Sequence, residues 1–507
     1  MVRKVSAVDK VKQAGFMASF SLRQIQVDPE KFSKDFGRRF ASIPGLGHIL
    51  SIASRRSKDA ADAEASRLFE QGEFTQALRE LPRRPWLKNR RSAYEFETHK
   101  LRQVIEPSVP LHRAERVMHY LTNSLPHSVA GYSLRSHAVL QGMSAQGIDV
   151  EGVTRAGYPN VVGKFAAGTT EIVDDITYRR ILPSWTRITS EHFQQQAVKE
   201  LVSYAGDFGA EALHTTTGFE NALIVSRAAK ALGIPWVYEM RGAPEQTWLS
   251  KRPEEEQRQA EQSEYYRLAQ RQELEACKQA AAVVVLSAVT KRQLEDSGID
   301  PNKIVVVPNG IDDRAFEESG SQSQLRELFH LPVEKTIVGA ITSVVDYEGL
   351  EYFVQAFKYL DEEFVGVVVG DGAALAELRV LADSLGVADR VSFVGKQPAS
   401  TIGRWYQCLD VFVVPRKDTL VCRNVTPLKA LNAQALGIPV VASDLPALRE
   451  VTGEVETYVQ PENAQRLAQG IKQALGRDGL PSIEWAKTRQ WSRLANKYRE
   501  LYLGAAW

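Results

Sequence analysis

The sequence has few cysteines, no long apolar run and almost no net charge, and each absence excludes a class of protein. The three cysteines, Cys277, Cys408 and Cys422, have an odd count and no metal-ligand spacing, which favours a reducing cytoplasm over a disulfide framework. No apolar run approaches the ~20 residues that a membrane-spanning helix needs, and the amino terminus lacks the apolar core of a signal peptide. The net charge of +1 argues against a chain-wide nucleic-acid surface. We therefore expect a cytoplasmic protein with no nucleic acid as partner.

The chain of 507 residues is too long for one hydrophobic core, so two large domains and an extra module are expected. Hydrophobic residues make up 44% of the chain and charged residues 25%, which is typical of a globular protein rather than a disordered one.

Residues 1–105 differ in character from the rest and are predicted to form a basic helical extension. The first sixty residues hold twelve Lys and Arg against five Asp and Glu, and residues 43–54 are apolar. Such a segment can lie on an anionic membrane surface; alternatively, it is a helical extension whose positive face is solvated. Residues 63–81 are predicted to form two short helices around Gly72, as part of a helical packing module.

From about residue 116, apolar strands alternate with helices, which predicts βαβ units and parallel sheets. Two α/β halves joined near Asn309 and Gly310 are the simplest division. Residues 254–281 are predicted to be one long polar helix. Predicted strands cover residues 117–121, 147–153, 212–214, 234–242, 282–286, 304–307, 337–341, 365–369, 391–394, 411–414 and 439–443.

Residues 411–444 combine a strand, a basic loop, a helix after Pro427 and a second strand. The carboxyl ends of parallel strands, facing helix amino termini, are where open α/β sheets bind phosphorylated ligands. Arg416, Lys417 and Lys429 lie at or near that edge. They predict a diphosphate-bearing ligand, with solvated surface cations as the alternative.

Three segments, residues 283–312, 367–398 and 426–451, together resemble the retaining glycosyltransferases of the GT-B fold, family 4. The resemblance implies an α/β protein of two facing Rossmann-like domains with parallel sheets, after the helical extension. The domains would be an acceptor domain at 106–310 and a nucleotide-sugar-binding domain at 311–484, with a carboxyl-terminal helix at 485–507 crossing back.

The same resemblance implies transfer of a sugar from a nucleotide-sugar donor to a hydroxyl acceptor with retention of configuration. The acceptor would be a glycan or a lipid-linked molecule in cell-envelope or extracellular glycan synthesis. The basic leader, residues 1–60, would then add peripheral contact with the inner face of the membrane. No cofactor beyond the donor and no metal site is expected, since no metal-ligand cluster such as an Asp-x-Asp motif appears.

The resemblance also assigns residues to the expected site. Arg416, Lys429 and Arg241 would carry the catalytic charges. The expected donor-binding residues are Gly131, Ser343, Gly370, Gly372, Lys396, Asn424, Thr426 and Asn432. The expected acceptor-side residues are Arg135, His137, His214 and Glu239.

The second half departs from the family pattern at four positions. Asn424 and Asn432 stand where many members have two glutamates, and an amide makes a weaker hydrogen bond to a sugar hydroxyl than a carboxylate does. Ser343 and Glu348 stand where an arginine and a lysine are usual. We expect Glu348 to cap the following helix or to point elsewhere, while Arg416 and Lys429 replace the missing cations. The departures also motivate an alternative: a catalytically reduced partner or scaffold protein.

In the first half, Gly131 suits a close backbone approach to phosphate. Arg135 could reach a phosphate or an acidic acceptor, whereas His137 could simply pack. Arg241 occupies the place of a histidine in many members and cannot accept a proton, so positioning and charge stabilisation would carry the reaction. His214 is predicted either to line the acceptor side or to belong to a turn that caps a helix.

Overall fold

The computed structural model describes residues 7–28, 60–182, 190–317 and 320–504. The chain forms two compact units. The first comprises Met1–Val284, Leu294–Val305 and Tyr498–Trp507, and the second comprises Val285–Gln293 and Val306–Lys497. The carboxyl-terminal helix Trp491–Leu503 therefore begins in the second unit and ends in the first.

The first sheet has the strand order β3-β4-β2-β1-β5-β6-β7-β8. The neighbours from β4 to β6 pair in parallel, and β3 pairs antiparallel with β4. Every residue of β5, and all of β1 after its first, is buried, because helices cover both faces of a parallel sheet. The strands are β1 Arg116–Leu121, β2 Asp149–Thr154, β3 Thr170–Val173, β4 Ile176–Arg180, β5 Ala212–Thr216, β6 Trp236–Met240, β7 Ala282–Val285 and β8 Ile304–Val306.

The helices between these strands correct the sequence prediction in one place. The predicted single helix at 254–281 is two helices: the first ends at Ala260, and Ser263 caps the second by accepting a hydrogen bond from Tyr266 N. The hairpin of β3 and β4 and the helix Ser190–Phe208 were not predicted. The helices that follow β1 are Gly131–Ala145, Ser190–Phe208, Phe219–Leu232, Pro244–Leu249, Glu254–Ala260, Glu264–Gln279 and Ala288–Asp296.

The second sheet is parallel throughout, with the strand order β11-β10-β9-β12-β13-β14. Alternate residues of its strands belong to different cores: Phe412 and Val414 pack on one face, and Val411 and Val413 on the other. This arrangement confirms the predicted α/β fold with parallel sheets. The strands are β9 Thr336–Ile341, β10 Phe364–Val369, β11 Val391–Gly395, β12 Val411–Val414, β13 Val440–Ser443 and β14 Thr457–Val459. The helices are Gln322–Leu328, Leu350–Ala356, Leu375–Ser384, Ile402–Gln407, Leu420–Asn424, Lys429–Ala435, Pro446–Thr452, Ala464–Ala474, Leu480–Thr488 and Trp491–Leu503.

Three helices, Ala60–Glu70, Phe74–Glu80 and Lys88–Lys100, form the predicted helical module. The ring of Phe69 stacks on Phe74 at 4.1 Å and on Tyr94 at 3.8 Å between centroids. Glu264 joins the module to the helix Glu264–Gln279 of the same unit, because its carboxylate accepts hydrogen bonds from Thr75 N and Thr75 Oγ1, both at 2.6 Å.

The amino-terminal helix Ala7–Val27 packs against the first unit through its less polar face. Phe16 and Ile25 are each 1% exposed. Buried Gln13 donates to Ala166 O at 3.1 Å and accepts from Ala166 N at 2.8 Å and from Asn160 Nδ2 at 2.7 Å. Protein atoms therefore occupy the face of this helix that a membrane would have to contact.

The membrane contact predicted for residues 1–60 thus stays a prediction for the rest of that segment. Its apolar stretch, residues 43–54, lies outside the described residues. Among the described residues, no helix combines the length and apolar character needed to cross a membrane.

Replacing Gln13 with alanine should lower the free energy of unfolding by about 1–2 kcal/mol, because Ala166 and Asn160 would keep buried polar groups without their partner. Urea unfolding followed by fluorescence measures the change. Lys12→Ala, on the exposed side of the same helix, is the control and should alter stability little. Equal stability of the two variants would show that the buried amide does not anchor the helix.

Candidate functional site

The carboxyl edge of the second sheet brings together the loops that follow β9, β10 and β12. Gly349, Gly370 and Gly372 fix their close approach. A Cβ added at these glycines would lie 2.0 Å from Pro415 O, 1.8 Å from Thr342 O and 2.1 Å from Val344 O, respectively. Gly349 and Gly370 also have positive φ angles of 67° and 148°. Only glycine fits these positions, so the loops are held against one another.

Four of the eight predicted donor-binding residues lie along this edge, together with Arg416. Gly370 and Gly372 follow β10, Arg416 follows β12, and exposed Ser343 follows β9. Lys396 is exposed directly after β11, which is the outermost strand on that side. The structure therefore gathers residues that are far apart in sequence at a single sheet edge.

Arg416, Glu348 and Lys429 form a charge cluster at this edge. Arg416 Nη2 lies 2.9 Å from Glu348 Oε1, and Lys429 Nζ lies 2.9 Å from the same oxygen. Arg416 Nη1 also donates to Val425 O at 3.0 Å, and Lys429 Nζ donates to Thr342 Oγ1. The expectation that Glu348 caps the next helix is wrong, since that helix has no side-chain cap. Its carboxylate instead lies between the two cations that were expected to bind diphosphate.

The electrostatics of the cluster follow from burial and pairing. Burial raises the pKa of Glu348, but Arg416 and Lys429 outweigh it and hold the pKa below its usual value. Burial lowers the pKa of Lys429 to about 8, against the opposing attraction of Glu348. One carboxylate and two protonated cations give the cluster a net charge of +1. The cations are preorganised, but the cluster attracts an anion less strongly than two unpaired cations would. Lys417 is turned to Asp346 and Glu351, at 2.7 and 2.6 Å.

The first unit has a second charge cluster, centred on Glu239 at the end of β6. Glu239 Oε1 accepts from Arg135 Nε at 2.7 Å, while Oε2 lies 3.0 Å from Arg241 Nη2 and 3.1 Å from His214 Nε2. His214 Nδ1 lies 2.7 Å from Tyr502 Oη. Burial raises the pKa of Glu239, but Arg241, Arg135 and His214 hold the pKa well below the usual range. Burial lowers the pKa of His214, against the opposing attraction of Glu239.

Three of the predicted acceptor-side residues belong to this cluster. His214 and Glu239 are 0% exposed and Arg135 is 4% exposed, and their acceptor-side roles stay predictions. The alternative that His214 belongs to a turn that caps a helix is wrong, because His214 lies within β5 and the next helix, which begins at Phe219, has no side-chain cap. Arg135 and His214 both contact the Glu239 carboxylate, which also pairs with Arg241.

Arg241 is the member of the cluster nearest to the sheet edge, with a side chain that is 10% exposed. Its Nη1 donates to Ser136 Oγ at 2.7 Å and to Tyr132 O at 3.0 Å. His137 is buried, with its Nδ1 2.7 Å from Tyr178 Oη and its Nε2 3.1 Å from Asp174 Oδ2. This is the alternative in which His137 simply packs. Gly131 begins its helix with no heavy atom within 4 Å of an added Cβ, so its backbone is open to a ligand.

Comparison with known proteins assigns the family. Residues 321–490 match the family described as Glycosyl transferases group 1, and residues 130–310 match the Glycosyl transferase 4-like domain. The chain belongs to the group 1 glycosyltransferases. The two matches coincide with most of the two α/β regions that carry the charge clusters.

Relatives of this glycosyltransferase match it over part of their length. The D-inositol 3-phosphate glycosyltransferase of Xylanimonas cellulosilytica is 34% identical over 184 residues, which are 34% of this chain and 43% of the relative. A GDP-mannose-dependent alpha-(1-6)-phosphatidylinositol monomannoside mannosyltransferase of Mycobacterium tuberculosis is 27% identical over 237 residues, 44% of this chain and 61% of the relative. The chain thus spans about half the length of the relatives that it matches.

A solved structure of the Anabaena protein HepE in complex with UDP is similar to this glycosyltransferase in fold. The TM-score is 0.58 at 16% sequence identity, over 76% of this chain and 99% of the other. The predicted GT-B fold is confirmed.

In this glycosyltransferase, both asparagines at the family's glutamate positions contact protein groups. Asn424 Oδ1 accepts from Gln293 Nε2 at 2.9 Å, and the Asn432 side chain hydrogen-bonds with Tyr406. Thr426 is buried beside them, at 8% exposure. The donor-binding roles of all three residues stay predictions.

Two residues that support the charge cluster were not predicted. Thr342 accepts from Lys429, and Ser443 Oγ donates to Arg416 O at 2.7 Å. Thr342 directly follows β9 and Ser443 ends β13. Their position at the carboxyl ends of parallel strands was the signal that could have identified them.

Proposed function

We propose that this glycosyltransferase moves a sugar from a nucleotide-sugar donor to a hydroxyl acceptor with retention of anomeric configuration. The observation that supports it most is the Arg416, Glu348 and Lys429 cluster at the carboxyl edge of the second sheet. Departure of a nucleoside diphosphate develops negative charge, which fixed cations in a preorganised site stabilise. HepE was solved with UDP and the mannosyltransferase relative is GDP-mannose-dependent by name, so both bases are candidates.

The charge cluster of the first unit supports a route without a protein base. Arg241 cannot accept a proton. Glu239 is a poor acceptor because Arg135 and Arg241 hold its pKa low. We infer that the leaving phosphate takes the proton of the incoming hydroxyl on the same face of the sugar. The chain would then contribute positioning and charge stabilisation, with no metal and no cofactor beyond the donor.

We propose cell-envelope or extracellular glycan synthesis as the setting, with a glycan or lipid-linked acceptor. The mannosyltransferase relative is named for a phosphatidylinositol mannoside, which supports a lipid-linked acceptor by analogy. Cytoplasmic location with peripheral membrane contact stays a prediction.

Titration of UDP and GDP against the full chain tests the donor site, and transfer from a panel of UDP- and GDP-sugars to water or added acceptors tests the reaction. We expect one nucleotide to bind and to raise the melting temperature as its concentration rises. Absence of binding by both at millimolar concentration would contradict the proposal.

The alternative is a catalytically reduced protein that acts as a partner or scaffold. Glu348 favours it specifically, because the carboxylate offsets one of the two cations. Nucleotide binding without transfer from any donor in the panel would select this alternative.

Nucleotide affinity should fall up to about tenfold as the pH rises from 7 to 9, because the pKa of Lys429 is about 8 and only its protonated form makes a charge-assisted contact. Calorimetry at several pH values measures the change. Lys429→Arg stays protonated over this range and should bind with a flat pH profile. Parallel profiles for the two proteins would exclude Lys429 as the titrating group.

A further inference from the structure

Arg155 in the first unit is a partly buried arginine without a carboxylate partner. It directly follows β2 and lies at the carboxyl edge of the first sheet, where its backbone N–H donates to Leu121 O at 2.9 Å. Its Nη2 donates to Asn123 Oδ1 at 3.2 Å, while its buried Nε has no hydrogen-bond partner. Within the described ranges no carboxylate pairs with it; burial lowers the pKa of Arg155, and its titratable neighbours are the tyrosines Tyr120, Tyr132 and Tyr158.

Neighbouring arginines of the same sheet show the contrast. Arg179 pairs with Glu151 at 2.5 Å and Arg180 pairs with Glu171 at 2.6 Å. A buried cation is normally paired. Arg155 thus lacks the carboxylate that these neighbours have, as expected of an arginine whose partner is a ligand.

Tyr120 provides a second, independent sign of a ligand. It is fully buried in β1, and its hydroxyl has no hydrogen-bond partner. Burial raises the pKa of this phenol, and Arg155 is close enough for its charge to oppose that rise. Folded proteins satisfy nearly all buried donors, so two unsatisfied donors at one place call for an acceptor.

The surroundings of Arg155 and Tyr120 are polar and partly open to solvent. Asn123 links Arg155 to Tyr132, because its Nδ2 donates to Tyr132 Oη at 2.8 Å, and Tyr132 is 46% exposed. The helix Gly131–Ala145 begins beside it without a side-chain cap, and the positive end of a helix dipole favours an anion.

We propose that Arg155, with Tyr120, Asn123 and Tyr132, binds an oxyanion group of the acceptor, a phosphate or a carboxylate. A guanidinium matches the geometry of either group with two parallel hydrogen bonds. The proposal rests on the proposed glycosyl transfer and specifies its acceptor as an anionic molecule. It differs from the donor site, whose cations Arg416 and Lys429 belong to the second unit.

Inorganic phosphate is the first probe, titrated by calorimetry into the full chain with its nucleotide site saturated by UDP or GDP. We expect phosphate to bind the wild type and Arg416→Ala. We expect Arg155→Gln to weaken phosphate at least tenfold, Arg155→Lys to restore part of it, and nucleotide affinity to be unchanged in both Arg155 variants. If Arg155→Gln fails to fold, Asn123→Ala should weaken phosphate severalfold.

Phosphate affinity that is unaffected by Arg155→Gln, or lost only in Arg416→Ala, would overturn the proposal. A wild type that does not bind phosphate would also overturn it, because water would then satisfy the donors of Arg155 and Tyr120. Glycerol 3-phosphate, glucuronate and phosphatidylglycerol vesicles then separate a soluble phosphate, a carboxylate and a lipid headgroup. Each supports the proposal only if Arg155→Gln abolishes its binding. Failure of UDP and GDP to bind would instead contradict the proposed function, whatever phosphate does.

Discussion

Glu239→Ala should lower the free energy of unfolding by about 3–5 kcal/mol, which is typical when one partner of a buried ion pair is removed. The substitution would leave Arg135 and Arg241 without their shared carboxylate. It would also remove the hydrogen bond from His214, which is 0% exposed. Urea unfolding at pH 7, followed by fluorescence, measures the loss.

The contribution of Glu239 to stability should depend on pH. Its pKa in the folded protein is well below the value of a free glutamate. The stabilisation is therefore fully present above the unfolded-state pKa and is lost as the pH falls toward the folded-state pKa. Glu239→Gln cannot titrate, so the stability difference between wild type and this variant should shrink in acid.

Glu115→Ala is the matched control in the same unit. Glu115 pairs with Arg113 at 2.8 Å, and both side chains are more than half exposed, at 56% and 66%. Exposed pairs contribute little to stability, so this variant should unfold close to the wild type. If Glu115→Ala cost as much as Glu239→Ala, burial of the cluster would not be the source of its stability.

The fold could be predicted from sequence because the strands are continuous apolar runs separated by helices. Val411–Val414 and Val440–Ser443 are buried at every position, and such runs indicate a sheet covered on both faces. The β3–β4 hairpin was not predicted, because its strands have only four and five residues. Buried positions in these strands are interrupted by more exposed ones, and several positions are polar. Short polar strands give little periodic signal.

The ion pairs of the site could not be predicted, because they join residues that are distant in sequence. Glu348 and Arg416 are 68 positions apart, and Arg135 and Glu239 are 104 apart. Residue types at the sheet edge predict an anion site there, and that site stays a prediction. Which carboxylate pairs with which cation depends on loop packing, such as the approach of Gly349 to Pro415 O, and no local pattern specifies that packing.

Arg416→Ala should weaken nucleoside diphosphate binding by about 1.5–3 kcal/mol, the loss of a hydrogen bond to a charged group. Calorimetric titration with UDP or GDP measures it. The structure sharpens the expectation, because Arg416 is 5% exposed and already bonded to Glu348 and to Val425 O. Its guanidinium is therefore held in place before a ligand arrives, and little side-chain entropy remains to be lost on binding.

Two further variants separate a ligand contact from a structural role of Arg416. Arg423→Ala, in the next helix Leu420–Asn424, removes a half-exposed arginine that pairs with Asp418, and it should leave nucleotide affinity unchanged. Glu348→Gln keeps both cations and removes the competing carboxylate, so affinity should rise if diphosphate and Glu348 compete for Arg416 and Lys429. If Arg416→Ala kept its nucleotide affinity but lost stability, Arg416 would be a partner of Glu348 alone. Other groups at the sheet edge would then have to bind the diphosphate, and Lys429 would be the first to test.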